Sequence, residues 1–429
     1  MAALWNDIKT RLREPWFRAV TYLCVATLFP EYILPFFFIP ALIAAVRDCK
    51  RAARPFAVGT VGWVMFAFIG YFLVSVPFAK RPVDALSSVV LWMLMLVWYL
   101  IFTAVLTERK RVEDTVFLVT LVVGIIGMIG AVQYFLRFIG KDTSIQFWLW
   151  LDNWVYGWLP WNVSTVVSGT RVCATFNNPN ILSQYLVMVI PFAAYCAFHA
   201  ASARRRGVSR FCLLAAIGCL AFTFSRGAYI ALVVIGAVLV VANRRHILTI
   251  LLSALSALLL IPDVVWNRVR SLGHIDVSGL ERIMAWDICL ELIAQYPVFG
   301  TGCGIMYTWE VLAAAGTNAP HAHNTILQIL VEGGIVALCM LLYLAFHLLQ
   351  SGFLLARRKE SSQFGFAVLA FVLAFSTQAM VEYAFTFPTL LTTFALTTAM
   401  TDNAARVYLD RPVTPLVWKK RKQKDTSCE

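Results

Sequence analysis

Apolar runs of helical length alternate with short basic clusters along this chain of 429 residues. The runs at 16–28, 33–46, 56–78, 86–106, 115–135, 181–200, 211–224, 227–242, 247–261, 325–349, 364–381 and 388–400 predict about 12 transmembrane helices. In hydrocarbon an open segment can satisfy its own N–H and C=O groups only as a helix, and roughly 20 apolar residues cross a core of about 30 Å. The expected fold is therefore an all-α polytopic membrane bundle.

The polar punctuation sets an orientation. With the N-terminus inside, Arg47/Lys50/Arg51/Arg54, Arg109/Lys110/Arg111, Arg204/Arg205/Arg206/Arg210, Arg244/Arg245, Arg357/Arg358/Lys359 and the basic run at 419–424 all fall on the cytoplasmic side, as the positive-inside rule requires. Lys80 and Arg81 break the rule in a short outer loop. The threading divides the chain into N-terminal helices (1–135), an outer loop (136–180), central helices (181–261), a second outer loop (262–324), C-terminal helices (325–400) and a polar, basic, partly disordered tail (401–429).

Composition narrows the class. Hydrophobic residues make up 60% of the chain and charged residues 14%, with a mean hydropathy of +0.75, more apolar sequence than one soluble core absorbs. The net charge of +13 raises a nucleic-acid reading, but loop clusters between apolar runs are explained by orientation and anionic lipid. No nucleic-acid partner is expected. Ten cysteines show neither a CxxC pair nor Cys/His ligand spacing, so neither a disulfide framework nor a zinc site is indicated. The pairing of Cys173, Cys289 and Cys303 stays open. Arg11, Arg13 and Arg18 flank a first apolar run that continues into others, which argues against a cleavable signal peptide.

The two outer loops are long enough to carry function. The first holds Trp148, Trp150, Trp154, Trp158 and Trp161 with Phe147 and Tyr156, either an interfacial aromatic belt or a surface for sugar rings or a lipid tail. In the second, Ser278-Gly279-Leu280-Glu281 reads as a capping box, and Leu280, Ile283, Met284 and Ile288 recur at helical spacing. Pro297 with Gly300, Gly302 and Gly304 should end that helix.

Candidate chemistry gathers in these outer segments. Arg171, Arg226 and Arg282 stand where positive charge should be scarce, beside His321-Ala322-His323-Asn324. An imidazole at a membrane boundary can serve as acid or base, although a single such histidine is more often a satisfied interfacial residue. Arg226, in the tight turn Thr223-Phe224-Ser225-Arg226-Gly227, can equally snorkel to headgroups. The turn after Arg171 can be only a helix start capped by Asn178 or Asn180. Taken together, arginine forks match phosphate oxygens and keep their charge at any relevant pH. No carboxylate or cysteine in the sequence completes a metal set around the histidines, so no metal and no cofactor is expected.

The ordered string Thr170-Arg171 with Phe176-Asn177-Asn178-Pro179-Asn180, Ser225-Arg226-Gly227, Glu281-Arg282 with Trp286, Pro297-Val298-Phe299-Gly300-Thr301-Gly302, then His321-Ala322-His323-Asn324 with Leu327-Gln328 and Glu332-Gly333-Gly334 resembles the O-antigen ligase and polymerase superfamily. That resemblance implies a GT-C-like, metal-independent, inverting glycosyltransferase at the outer face of the bacterial cytoplasmic membrane. Its donor would be a glycan on undecaprenyl diphosphate, and its acceptor a glycan or lipid. It implies His323 as the catalytic group, Arg226, Arg282 and Arg171 as diphosphate-binding, and His321 and Asn324 in support. Ligase and repeat-unit polymerase both fit. The absence of a folded soluble domain after the last span weakens transfer to protein. A small-anion transporter is the competing class, disfavoured because the main acids within or beside the spans, Glu332 and Glu382, fall near outer ends rather than at the midplane. A scaffold for glycan export is a third reading, and it predicts tolerance to the loss of His323.

Overall fold

The computed structural model describes residues 8–29, 34–139, 171–176, 178–242 and 277–416. Its helices are α1 (Pro15–Ala26), α2 (Leu34–Arg51), α3 (Thr60–Ser75), α4 (Pro82–Val105), α5 (Arg109–Phe138), α6 (Pro179–His199), α7 (Ala203–Phe222), α8 (Arg226–Ala242), α9 (Val277–Gln295), α10 (Met306–Ala314), α11 (Thr325–Arg357), α12 (Ser362–Ala379) and α13 (Pro388–Leu409). Among the described residues six helices are long and apolar enough to cross a membrane, which makes this an integral membrane protein. The expected span at 247–261, the tryptophan-rich part of the first outer loop and the basic run at 419–424 lie outside the described residues.

Each remaining expected span coincides with a helix, although several helices run past the apolar stretch. Loop polarity explains the overshoot: the basic starts of α5 and α7 and the basic end of α11 stay helical beyond the hydrocarbon. The bundle is built around α6, which packs against α5, α7 and α12 and is buried along almost its whole length. Outward-facing Phe36, Val74, Phe78, Val83, Phe135, Leu214, Val233 and Phe346 are exposed, the inverse of a soluble surface and the pattern expected of a lipid-facing one.

One end of the bundle is held by ion pairs on buried acids. Asp114 takes Arg11 and Arg205, and Asp48 takes Arg54 and Arg111. The basic clusters of the sequence thus meet carboxylates at this end, while the His321–Asn324 segment opens α11 at the other. Past its break at Gly334, α11 runs on to Arg357, about 35 Å at 1.5 Å per residue, which separates the two ends by roughly a hydrocarbon thickness.

Three expectations need correction. The last helix does not end at Met400: α13 continues to Leu409, and Thr414–Pro415 pairs antiparallel with Ala57–Val58. The polar residues there are satisfied, since Tyr99 donates to Asp402 at 2.5 Å and the Asn403 amide donates to the Ala399 carbonyl at 2.8 Å. The capping box expected at Ser278–Glu281 falls inside α9, which is helical from Val277, and Glu281 accepts from Asn318 at 3.3 Å. Arg81 is no stray charge, because it pairs with Asp84 at 2.6 Å and Glu310 at 3.1 Å, while Lys80 lies 4.3 Å over the Tyr296 ring. These contacts tie the α3–α4 turn to the second outer loop.

Candidate active site

The segment between α9 and α11 folds back onto α11 through two glycine segments. Gly334 breaks that helix, with φ +61° and ψ −162°. The backbone groups freed by the break are taken up by the chain after α9: Thr301 N–H donates to the Val331 carbonyl at 2.7 Å, Gly302 N–H to the Glu332 carbonyl at 2.9 Å, and Ile335 N–H to the Pro297 carbonyl at 2.9 Å. A Cβ at Gly300 would lie 2.5 Å from the Glu332 carbonyl, and one at Gly334 would fall on the Val298 carbonyl. Backbone meets backbone here, so only glycine fits. The expected glycine stop after α9 is therefore also its docking site.

This docking fixes the histidine segment. Trp286 Nε1 on α9 donates to the Ala322 carbonyl at 2.7 Å, Ala322 N–H donates to Gln328 Oε1 at 3.0 Å, and Asn324 caps α11 by accepting from Ile326 and Leu327 N–H. His323 is left at φ +46°, a left-handed conformation that costs a non-glycine residue roughly 1–3 kcal/mol and persists only where the surroundings over-determine it. His323 N–H donates to His321 Nδ1 at 3.1 Å.

The side chains converge on Glu382, in the turn between α12 and α13. His323 Nδ1 lies 2.7 Å from Glu382 Oε1, His321 Nε2 is 3.8 Å from the same oxygen, and the Arg282 guanidinium is 3.8 Å from Oε2. Asn180 Nδ2 donates to Oε2 at 3.0 Å, and the Asn180 carbonyl oxygen accepts from Arg171. Thr325 Oγ1 donates to the Glu382 carbonyl at 2.9 Å. Burial would raise the Glu382 carboxyl, but His323, His321 and Arg282 outweigh it and hold the group well below the usual carboxylate range. His321 is driven down to about 3, first by burial and then by the neighbouring His323 and Arg282.

Protonation follows from this geometry. An ionised Glu382 can only accept, so His323 Nδ1 carries a hydrogen, and in the neutral ring Nε2 keeps the lone pair. The His323 side chain is one-fifth exposed, and Nε2 is the ring nitrogen not committed to Glu382. His321 is buried, neutral near pH 7, and commits Nδ1 to the backbone, so it holds the turn rather than moving protons.

Of the arginines read from the sequence, Arg282 reaches the hub directly. Arg171 reaches it through Asn180, and its Nε donates to the Thr223 carbonyl at 2.7 Å, so much of its fork is committed to protein acceptors. Arg226 opens α8, half-buried; next to it, Gly227 packs so closely on Val381, the neighbour of Glu382, that a Cβ would lie 2.5 Å from Val381 Cγ2. The expectation that no carboxylate completes a set around the histidines is overturned, because His321, His323 and Glu382 bring ligand-type atoms within 4.8 Å of one another. A cation there would have to displace the proton shared at 2.7 Å and sit beside Arg282; those surroundings suit a proton better. Cys173, Cys289 and Cys303 are buried, and among the described residues none is joined in a disulfide.

Glu382 and Asn180 are the groups that sequence reasoning underused. A lone acid in the apolar stretch Met380-Val381-Glu382-Tyr383-Ala384-Phe385 is the available signal, since such a charge in a membrane protein is retained for a partner. Nothing local identifies that partner, which is 59 residues away in the chain.

An integral membrane protein with a histidine–carboxylate pair flanked by arginines at one end of its bundle is the class that fold and site define. Residues 211–342 match the model of the O-Antigen ligase family, which supports the O-antigen ligase and polymerase superfamily for this chain. The matched stretch holds Arg226, Arg282, His321, His323 and Asn324, whereas Arg171 and Glu382 lie outside it. A comparison with curated proteins gives no significant match.

Proposed function

We propose that the cluster around Glu382 is the active site of a metal-independent, inverting glycosyltransferase, which moves a glycan from undecaprenyl diphosphate to an acceptor hydroxyl in O-antigen ligase-like fashion. The observation that carries this reading is the His323–Glu382 contact at 2.7 Å with Arg282 on the other carboxylate oxygen. His323 Nε2 takes the proton of the acceptor hydroxyl, whose oxygen forms the new bond to the anomeric carbon. The bond from that carbon to the diphosphate breaks on the opposite face, and its electron pair leaves with the diphosphate. Arg282 and Arg226 stabilise the charge that grows there, the place where preorganised cations lower a barrier most. Arg171 supplies positive charge and holds Asn180. Glu382 fixes the His323 tautomer and stabilises the imidazolium, and Asn324 holds the turn as the α11 cap. The acceptor is a lipid core in the ligase reading and a repeat unit in the polymerase alternative; the single histidine-bearing outer loop favours the ligase. The site opens outside the bacterial cytoplasmic membrane, a placement supported by its lying opposite the basic clusters.

The test is reconstitution with an undecaprenyl-diphosphate glycan and candidate acceptors, following product mass. Wild type should give the glycosylated acceptor, and His323→Ala should give none while still inserting and binding donor. Turnover by His323→Ala, or bicarbonate uptake by proteoliposomes that transfer no glycan, would overturn the proposal.

A further inference from the structure

At the end of the bundle away from Glu382, a cavity of about 340 Å³ opens between the C-terminal ends of α11 and α13, lined by Leu354, Arg357, Arg358, Leu409 and Arg411. Three arginines from two chain segments line one space, the Arg357 guanidinium lying 4.3 Å over the Phe353 ring, and among the described residues no carboxylate lines it. Helix ends alone would explain Arg357 and Arg358, because cations favour helix C-termini. They do not explain Arg411. Asp410 adopts the left-handed conformation (φ +53°, ψ +33°) that ends α13 and turns the chain back toward α11. There Arg411 donates to Ser351 Oγ at 2.8 Å and lies 3.3 Å from His347 Nε2. Both partners are buried, so Arg411 is drawn inward instead of reaching for solvent.

We propose that this cavity binds the phosphate of an anionic phospholipid, with Arg357, Arg358 and Arg411 around the headgroup and Leu354 and Leu409 against the start of the acyl chains. Guanidinium forks fit phosphate oxygens, and the two leucines make a lipid a better occupant than free phosphate. Arg411, pinned before the ligand arrives, loses less freedom on binding than a mobile side chain would. The site is separate from the glycan chemistry, and its occupancy does not depend on His323.

The experiment is native mass spectrometry of the full-length protein in detergent, titrated with dioleoyl phosphatidylglycerol, with dioleoyl phosphatidylcholine, or with inorganic phosphate. Wild type should retain one phosphatidylglycerol selectively, and R357Q/R358Q should lower that occupancy about tenfold or more. R411K should keep part of the binding, because it keeps the charge and loses the fork. The control R13Q/R204Q removes equal charge from exposed positions elsewhere and should bind as wild type. An equal loss in the control, equal retention of phosphatidylcholine, or saturation by inorganic phosphate in place of lipid would overturn the proposal.

Discussion

Glu382 is the residue on which the site turns, because its charge is what orders the other groups. Replacing it with glutamine keeps size but removes the negative charge that stabilises the His323 imidazolium and replaces one of the two acceptor oxygens with a donor. Glu382→Gln is therefore expected to lower kcat by about 10²–10⁴-fold, with a smaller change in KM, when turnover is measured on reconstituted protein; unchanged kcat would remove the positioning role. Arg282→Ala should weaken donor binding and slow the chemical step, with Arg282→Lys restoring only part because it lacks the planar fork. Equal activity in Arg282→Lys and wild type would defeat the bidentate assignment. Acid should unfold this end of the protein. His321 falls from an ordinary value of 6.5 to about 3 in the fold, and Glu382 is also depressed, so the unfolded chain binds more protons than the folded one. The stability these groups contribute is present at neutral pH and is lost as pH falls from about 6.5 toward 3. The melting temperature should drop across that window, and His321→Asn, which keeps an acceptor for His323 N–H, should flatten the drop. Parallel profiles for the two proteins would show that His321 is not the titrating group.

Among the elements, α11 and α9 divide the work of presenting His323. The Gly334 break lets the Pro297–Gly302 stretch bond to the backbone of α11, and Trp286 carries that anchorage to Ala322. Gly334→Ala places a Cβ on the Val298 carbonyl at a positive φ, so the loop has to separate from the helix. A loss of more than about 2 kcal/mol is expected, from conformational strain and lost hydrogen bonds together, and chemical denaturation in detergent measures it. Trp286→Phe is milder: it removes one hydrogen bond, about 1 kcal/mol, and should lower kcat more than it lowers stability. If it left kcat intact, α9 would not be aligning the histidine turn. Much of this was legible in advance. The helical spacing in α9, its glycine stop, the Asn178 cap of α6 and most helix positions are written in local pattern. Local pattern misplaced the end of α13, since that boundary depends on a polar partner distant in the chain, Tyr99 for Asp402.

For the molecule as a whole, the site exists because distant segments close on one carboxylate; Asn180 and Glu382, bonded at 3.0 Å, are 202 residues apart. Energetic coupling should follow that geometry. A double-mutant cycle of Asn180→Ala with Glu382→Gln is expected to give an interaction energy of about 0.5–3 kcal/mol in activation free energy, whereas pairing Glu382→Gln with Arg81→Ala should be additive. Additivity in both cycles would mean that Asn180 does not act through Glu382. The sequence alone determined that the chain is a helical membrane protein, where its basic clusters lie, and that arginines and a histidine stand in the polar segments between its apolar runs, because hydropathy, charge and helical period are properties of neighbouring residues. Only the tertiary structure decided that Glu382 joins His323 to Arg282, that Arg171 spends its fork on Thr223 and Asn180, and that His321 is held neutral. A carboxylate's partners and an imidazole's proton depend on what burial brings within a few ångströms, and no sequence interval encodes that distance.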